Sequence, residues 1–168
     1  MLPGNHKLPP RLRRPACRQT GGAHLAALLA ASPSLAYKAG ALPWLGTVLL
    51  DSAALDVSRI MKEGHARFYD RAFGSDPAYW KSASPYYALT GKGQPILAVC
   101  STRRFASCDQ AGRFVSKAQS LGVRATVLKE DLSHKDINQR LGEKQDYTKA
   151  VDSFLAGLDR SVAKLLGH

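Results

Sequence analysis

The chain has few of the residues that would build a metal centre or a disulfide framework. Its three cysteines, Cys17, Cys100 and Cys108, are odd in number, form no C-x-x-C pair and do not cluster with histidine at zinc-ligand spacing. We therefore predict no metal, no cofactor and a reducing compartment. No apolar run approaches the roughly 18 residues of a membrane span, and the basic N-terminus lacks the apolar stretch of a signal peptide. These absences predict a cytoplasmic protein.

Acidic residues are also scarce, with 13 against 24 lysines and arginines, for a net charge of +11. The first 20 residues contain no acid, and they carry four prolines, which disfavour helices and central strands. We predict a basic, disordered arm over residues 1–20, which is either merely solvated or binds polyanions nonspecifically. Motifs that recognise nucleic acid with interleaved aromatics are absent.

Residues 21–168 have the pattern of an α/β domain. Apolar runs at 45–50, 95–100 and 123–128 predict strands, and residues 109–121 between the last two have helical periodicity. Two strands joined by a helix of that length are parallel neighbours, connected by a right-handed crossover. An alanine-rich helix is predicted over 23–31 and an amphipathic helix over 151–165.

Aromatic residues concentrate between the first two predicted strands. They are Phe68, Tyr69, Phe73, Tyr79, Trp80, Tyr86 and Tyr87, within an excursion of short helices at 56–64, 69–73 and 77–82. Such a cluster either lines a substrate pocket or forms the core of the excursion. The sequence leaves both interpretations open.

Four segments, taken in order, point to a known family. They are GAHLAALL at 22–29, LLDS at 49–52 with YDRAFG at 69–74, PILAVCS at 95–101, and LSH at 132–134. This set resembles the α/β-hydrolases, in particular bacterial esterases related to arylformamidases. The first segment is similar to the helix after the nucleophile elbow, and the last to the loop of the catalytic histidine. The resemblance spans residues 22–158 and implies a partial α/β-hydrolase fold, about three parallel strands flanked by helices.

The resemblance implies a catalytic triad with His134 as the general base. Alignment of Gly22 with the last glycine of G-x-S-x-G places Thr20 at the nucleophile and Arg18 at the first glycine. The elbow signature is therefore broken, since threonine is β-branched and arginine replaces a small turn residue. No glycine-rich oxyanion loop of the HGGG type precedes Gly22.

The acid is expected in the loop after the strand at 95–100, where Asp109 is the only carboxylate. Asp109 is either the triad acid or the cap of the following helix. A thiol mechanism in which Cys100 or Cys108 works with His134 is a further alternative.

Two functional hypotheses follow. The first is hydrolysis of a small-molecule carboxylic ester or aryl amide, impaired by the missing elbow. The second is a non-catalytic remnant or interaction protein that binds through its basic arm and an exposed sheet edge. With 168 residues, the chain is expected to be an N-terminally truncated hydrolase, in which the strand at 45–50 is an uncovered edge that favours homo-oligomers.

Overall fold

The computed structural model describes residues 16–18, 20–143 and 145–167, and side chains from residue 22 onward. The strands are β1 (Ala16–Arg18), β2 (Thr47–Leu50), β3 (Ile96–Ser101) and β4 (Ala125–Glu130). The helices are α1 (Thr20–Ala31), α2 (Pro33–Lys38), α3 (Val57–Lys62), α4 (Arg67–Phe73), α5 (Pro77–Ser82), α6 (Pro85–Ala88), α7 (Phe105–Ser120), α8 (His134–Gln139), α9 (Asp146–Ala156) and α10 (Arg160–Leu165).

The four described strands form one parallel sheet in the order β1-β2-β3-β4. The predicted α/β class is confirmed, and each of the three predicted strands lies within two residues of its expected position. The strand expected as an uncovered edge is internal, however, because β1 pairs with β2 from Ala16↔Thr47 to Arg18↔Leu49. The predicted arm thus includes a strand at 16–18, while residues 1–15 lie outside the described part of the chain.

Both faces of the central strands are covered, as their continuous apolar runs require. Alternate residues of β2 and of β3 belong to two separate cores. One core contains Leu49, Ile96 and Ala98 with alanines of α1 and with Phe114 of α7. The second core, on the opposite face, groups Val48, Leu50, Leu97 and Val99 with Ile137, Tyr147 and Val151 of α8 and α9.

Two helix boundaries differ from the predictions for identifiable reasons. Helix α7 begins at Phe105 instead of residue 109, so Asp109 lies in its second turn and is not its N-cap. The predicted helix over 151–165 is two helices, α9 and α10. The break at Gly157 is stabilised by Asp159, whose carboxylate accepts from the Ser161 amide at 2.8 Å and starts a new helix.

The helical excursion between β2 and β3 is anchored by one buried serine. Ser84 Oγ accepts from the Val57 amide at 2.9 Å and donates to the Trp80 carbonyl at 2.7 Å. The next helix is attached by the Tyr86 amide, which donates to the Leu55 carbonyl at 2.8 Å. These bonds hold the excursion together above the carboxyl ends of the strands, where ligands bind in open α/β sheets.

Candidate active site

Asp51 follows the last residue of β2 and is completely buried. Its φ is +52°, which makes it the one described residue other than glycine in the left-handed region. Aspartate tolerates that region better than most residues do, but it is still disfavoured. The backbone here is therefore held by its surroundings, and the carboxylate is placed at the carboxyl edge of the sheet.

Four donors surround the Asp51 carboxylate. Oδ1 accepts from the Ser101 amide at 2.8 Å and from Ser107 Oγ at 2.5 Å. Oδ2 is 2.5 Å from Arg104 Nη1 and 2.6 Å from His134 Nδ1. Burial alone would raise the pKa of Asp51, but the hydrogen bonds from Ser107, Ser101, His134 and Arg104 outweigh it and hold the pKa below its ordinary value. Asp51 is therefore an anion at neutral pH.

Arg104 is the cation beside this carboxylate. Its Nη1 also contacts the Asp51 carbonyl oxygen at 3.2 Å and lies 2.9 Å from His134 Nδ1. About a third of the Arg104 side chain is exposed, so solvent screens the ion pair in part. The guanidinium both balances the buried charge and limits where the imidazole can lie.

The sequence predicted His134 in a loop. In the structure it is the first residue of α8. The preceding Ser133 caps this helix, since its Oγ accepts from the Asp136 amide at 3.1 Å. Ser101 Oγ donates to the Leu132 carbonyl at 2.6 Å, which ties the end of β3 to the segment that leads to His134. The ring is thus oriented by a helix cap and by the neighbouring strand.

The predicted base therefore has a carboxylate partner in the arrangement that acid-base catalysis requires. A carboxylate at Nδ1 fixes the tautomer that carries its proton there, and it stabilises the imidazolium when Nε2 accepts a second proton. The distance of 2.6 Å between Asp51 Oδ2 and His134 Nδ1 is within the range of a charge-assisted hydrogen bond.

The structure does not bring Asp109 to His134. Its Oδ2 accepts from Arg59 Nη1 at 2.8 Å, in a partly exposed ion pair between α7 and α3. The carboxylate at His134 is Asp51, which the sequence analysis did not single out. An available signal was its position directly after an apolar strand, where sheet ligands gather.

Thr20 is the first residue of α1, directly downstream of β1. A strand followed by a helix is also the order of elements around a nucleophile elbow. The Thr20 side chain lies outside the described part of the structure, so its role as nucleophile stays a prediction. The helix N-terminus supplies backbone N–H groups and a positive dipole at this place.

Cys100 and Cys108 form a disulfide, with their Cα atoms 5.1 Å apart. The alternative thiol mechanism is therefore wrong for this state, because disulfide sulfurs offer no thiolate. The bond also removes the basis on which a reducing compartment was predicted, since that prediction assumed unpaired cysteines. Among the described side chains, no group of three or more His, Cys, Asp or Glu residues could hold a metal ion.

A cavity of about 660 Å³ opens beside the Asp51–His134 pair. Arg104 and Ser52 line it next to the pair, and its other walls come from α1 and the excursion: His24, Leu25, Leu28, Ala53, Ala54, Phe68, Tyr69, Ala72, Phe73, Tyr79, Ser82 and Ala83. Four of the seven clustered aromatics thus face the cavity. Tyr86 instead packs against the core, so the cluster contributes both to a cavity wall and to the core.

His24 is a polar group in the cavity wall. Its Nδ1 is 2.7 Å from the Ala54 carbonyl oxygen, so this nitrogen carries the proton that is donated. The ring meets Phe73 edge-on at a centroid distance of 5.6 Å. Burial lowers the pKa of His24, with the carbonyl contact opposing it, and the ring is neutral at pH 7.

No described helix is long and apolar enough to cross a bilayer. No protein-family model matches the chain, and no curated protein matches it in sequence. Solved structures do match it.

Esterase 2 of Thermogutta terrifontis superimposes with a TM-score of 0.61 at 22% identity, over 85% of this chain and 54% of its own. Carboxyl esterase 2 of Tuber melanosporum gives 0.60 at 20% identity, over 83% and 50%. Esterase B of Lactobacillus rhamnosis gives 0.61 at 16% identity, over 90% and 53%. The chain spans about half the length of each structure. Its parallel sheet and helices form part of an α/β-hydrolase fold.

Proposed function

We propose that this protein hydrolyses small carboxylic esters by acyl transfer, with His134 as general base and Asp51 as the acid of the triad. The observation that carries the proposal is the 2.6 Å contact between Asp51 Oδ2 and His134 Nδ1 beside the cavity. A buried anion held by four donors at an imidazole is costly to build, and it is typical of a catalytic site.

In the proposed reaction, His134 Nε2 removes the proton from a hydroxyl nucleophile, which attacks the ester carbonyl. The imidazolium then donates that proton to the departing alkoxide, and a water deprotonated by the same nitrogen releases the acid. Thr20 is the proposed nucleophile, and the amides that begin α1 are the proposed oxyanion donors. Because Arg18 replaces the first glycine of the elbow and Thr20 replaces its serine, we expect slow turnover.

Short acyl esters of phenols are the proposed substrates. The cavity is apolar and aromatic, which suits a phenyl leaving group. Structures of the Thermogutta esterase 2 hold propionate and butyrate, small acids that would fit a cavity of this volume. Aryl formamides combine an aromatic ring with a small acyl group in the same way, and they form the second substrate class that we propose.

The test is hydrolysis of p-nitrophenyl butyrate by the wild-type protein, by His134→Ala and by a control, His65→Ala. His65 is paired with Asp70 at 2.8 Å in the excursion and takes no part in the proposed site. We expect turnover in the wild type and the control, and none above background in His134→Ala. Equal rates in all three proteins would contradict the proposal.

A fluorophosphonate probe would locate the nucleophile. Proteolysis and mass spectrometry should find the adduct in the peptide that contains Thr20, and the Thr20→Val variant should not be labelled. An adduct on another residue would contradict the role of Thr20 as nucleophile and would leave the proposal of ester hydrolysis intact.

The interaction role inferred from the sequence is the alternative proposal. One outer edge of the sheet is β4, whose residues include Lys129 and Glu130, and charges of this kind discourage strand addition. Among the described strands, β1 lies at the other edge of the sheet, and it follows the basic segment. If no ester is hydrolysed, sedimentation of the protein alone and with heparin would test self-association at that edge and polyanion binding.

A further inference from the structure

The disulfide closes a short ring of chain that contains most of the groups holding the acid. Cys100 and Cys108 are eight positions apart. Between them lie Ser101, Arg104 and Ser107, which supply three of the four donors to the Asp51 carboxylate. The fourth donor, His134, is the one from outside the ring.

The ring joins the end of β3 to the first turn of α7. Inside it, the Arg104 amide donates to the Ser101 carbonyl at 3.1 Å, and the Ser107 amide donates to the Arg104 carbonyl at 2.9 Å. These two bonds close tight turns, but the turns do not fix the strand end to the helix. The bond from completely buried Cys100 to Cys108 adds a covalent connection to the packing of α7 against β3, and so restricts the spacing between Ser101 and Ser107.

Asp51 is sensitive to this spacing. Its single Oδ1 atom accepts from both Ser101 and Ser107, so both donors have to converge on one point. Its backbone has a positive φ, and no solvent reaches the side chain to replace a lost donor. A catalytic group of this kind has to be held within about 0.5 Å of its productive position.

We propose that the Cys100–Cys108 ring is a positioning device for the triad acid, and that Arg104 and Ser107 act through Asp51 on His134. The catalytic consequence rests on the ester hydrolysis proposed above. Of the residues that line the cavity, Arg104 alone belongs to the ring, so we expect ring opening to affect the chemical step more than substrate binding.

The ring can be opened by chemistry or by mutation. Dithiothreitol supplies two electrons and two protons: its thiolate attacks one sulfur, the mixed disulfide collapses to cyclic dithiothreitol, and Cys100 and Cys108 are released as thiols. The double variant Cys100→Ala with Cys108→Ala gives the same open ring without a reductant. Val115→Ala is the matched control, because it removes core packing from α7 and leaves the ring closed.

Two readouts separate positioning from general damage. In p-nitrophenyl butyrate hydrolysis we expect kcat to fall about tenfold to a hundredfold in the double variant, with KM within about twofold. In proton NMR, the His134 Nδ1–H bonded to Asp51 should give a far-downfield resonance, absent in His134→Ala, that shifts upfield or broadens when the ring is open. Val115→Ala should keep both kcat and the resonance despite a lower Tm.

An unchanged kcat and an unchanged resonance in the double variant would overturn the proposal. If the double variant fails to fold, the same resonance followed during dithiothreitol reduction of the wild type decides the matter in the same way. If the wild type hydrolyses no ester but the resonance responds to ring opening, the proposed function fails while the positioning role stands.

Discussion

His134 Nδ1 lies 2.6 Å from Asp51 Oδ2, although the two residues are 83 positions apart in the chain. They follow β2 and β4, which are not neighbours, because β3 lies between them. The Asp51 side chain reaches the end of β3, where its carboxylate accepts from the Ser101 amide at 2.8 Å. The contact between Asp51 and His134 therefore depends on the order of β2, β3 and β4 in the sheet and on the segments that follow β2 and β4.

Substitution of each aspartate should show whether Asp51 or Asp109 is the acid of the triad. In Asp51→Asn the amide nitrogen can donate to His134 Nδ1, which selects the wrong tautomer, and we expect kcat for p-nitrophenyl butyrate to fall by about 10²–10⁴. Asp109→Asn should leave kcat unchanged, because that carboxylate pairs with Arg59. Steady-state kinetics on both variants make the comparison, and the reverse order of effects would assign the acid to Asp109.

The same carboxylate predicts a loss of stability in acid. The pKa of Asp51 is lower in the folded protein than its ordinary value of 3.8, so its contribution is fully present above that value. It is lost as the pH falls from 3.8 through the lower folded pKa. Thermal unfolding between pH 5 and 2.5 should show a steeper decline for the wild type than for Asp51→Asn, and parallel curves would contradict the prediction.

His24 predicts a second loss of stability on acidification, in a higher pH range than that of Asp51. Its folded pKa lies below the ordinary value of 6.5, so its contribution is present above pH 6.5 and is lost as the pH falls further. We expect the free energy of unfolding to decrease between pH 7 and 5 in the wild type and less so in His24→Asn. Urea titrations at three pH values measure this. His65 has a raised pKa and works in the opposite direction, so His65→Asn should make the decline steeper.

Two glycines predict opposite effects of the same substitution. Gly91 has a φ of +74°, and an added Cβ would lie 2.8 Å from the Leu121 carbonyl oxygen. Gly91→Ala should therefore destabilise the protein by about 1 kcal/mol or more. Gly112 lies within α7, with nothing within 4 Å of an added Cβ, so Gly112→Ala should stabilise it by about 0.5–1 kcal/mol. Urea unfolding of both variants checks the signs.

Phe73 predicts a change in substrate preference. Its ring meets Tyr69 in a stacked pair and His24 edge-on, and it forms part of the cavity wall. Phe73→Leu should raise KM for phenyl butyrate several-fold and leave KM for ethyl butyrate nearly unchanged, because only the phenyl group loses an aromatic partner. An equal rise for both esters would place the phenyl group elsewhere.

The sequence predicted the parts of the fold that depend on periodic burial. The apolar strands and the helix between β3 and β4 followed from spacing alone, since both faces of this sheet are covered. Strand β1 escaped prediction because three residues after a proline carry no periodic signal, and their pairing with β2 is tertiary. The same holds for the disulfide, because a spacing of eight positions between two cysteines does not by itself predict a pair.

The site was predicted in part for a similar reason. His134 could be singled out because LSH occupies the family's position near the end of the chain. Asp51 could not be recognised as its partner, because a single aspartate after a strand is common and the contact spans 83 positions. The family resemblance implies an acid after the next strand, and the structure places Arg104 of that loop against the histidine.

The order of the sheet has a consequence for synthesis on the ribosome. Each described strand pairs with the strand before it, so the sheet can grow at one edge as the chain emerges, without later insertion of a strand. Asp51, however, emerges long before its partners. At about 5–20 residues per second, His134 follows roughly 4–17 s later. Ser101, Arg104 and Ser107 emerge before His134 does, so the contact between Asp51 and His134 is the last of the four that the growing chain can form.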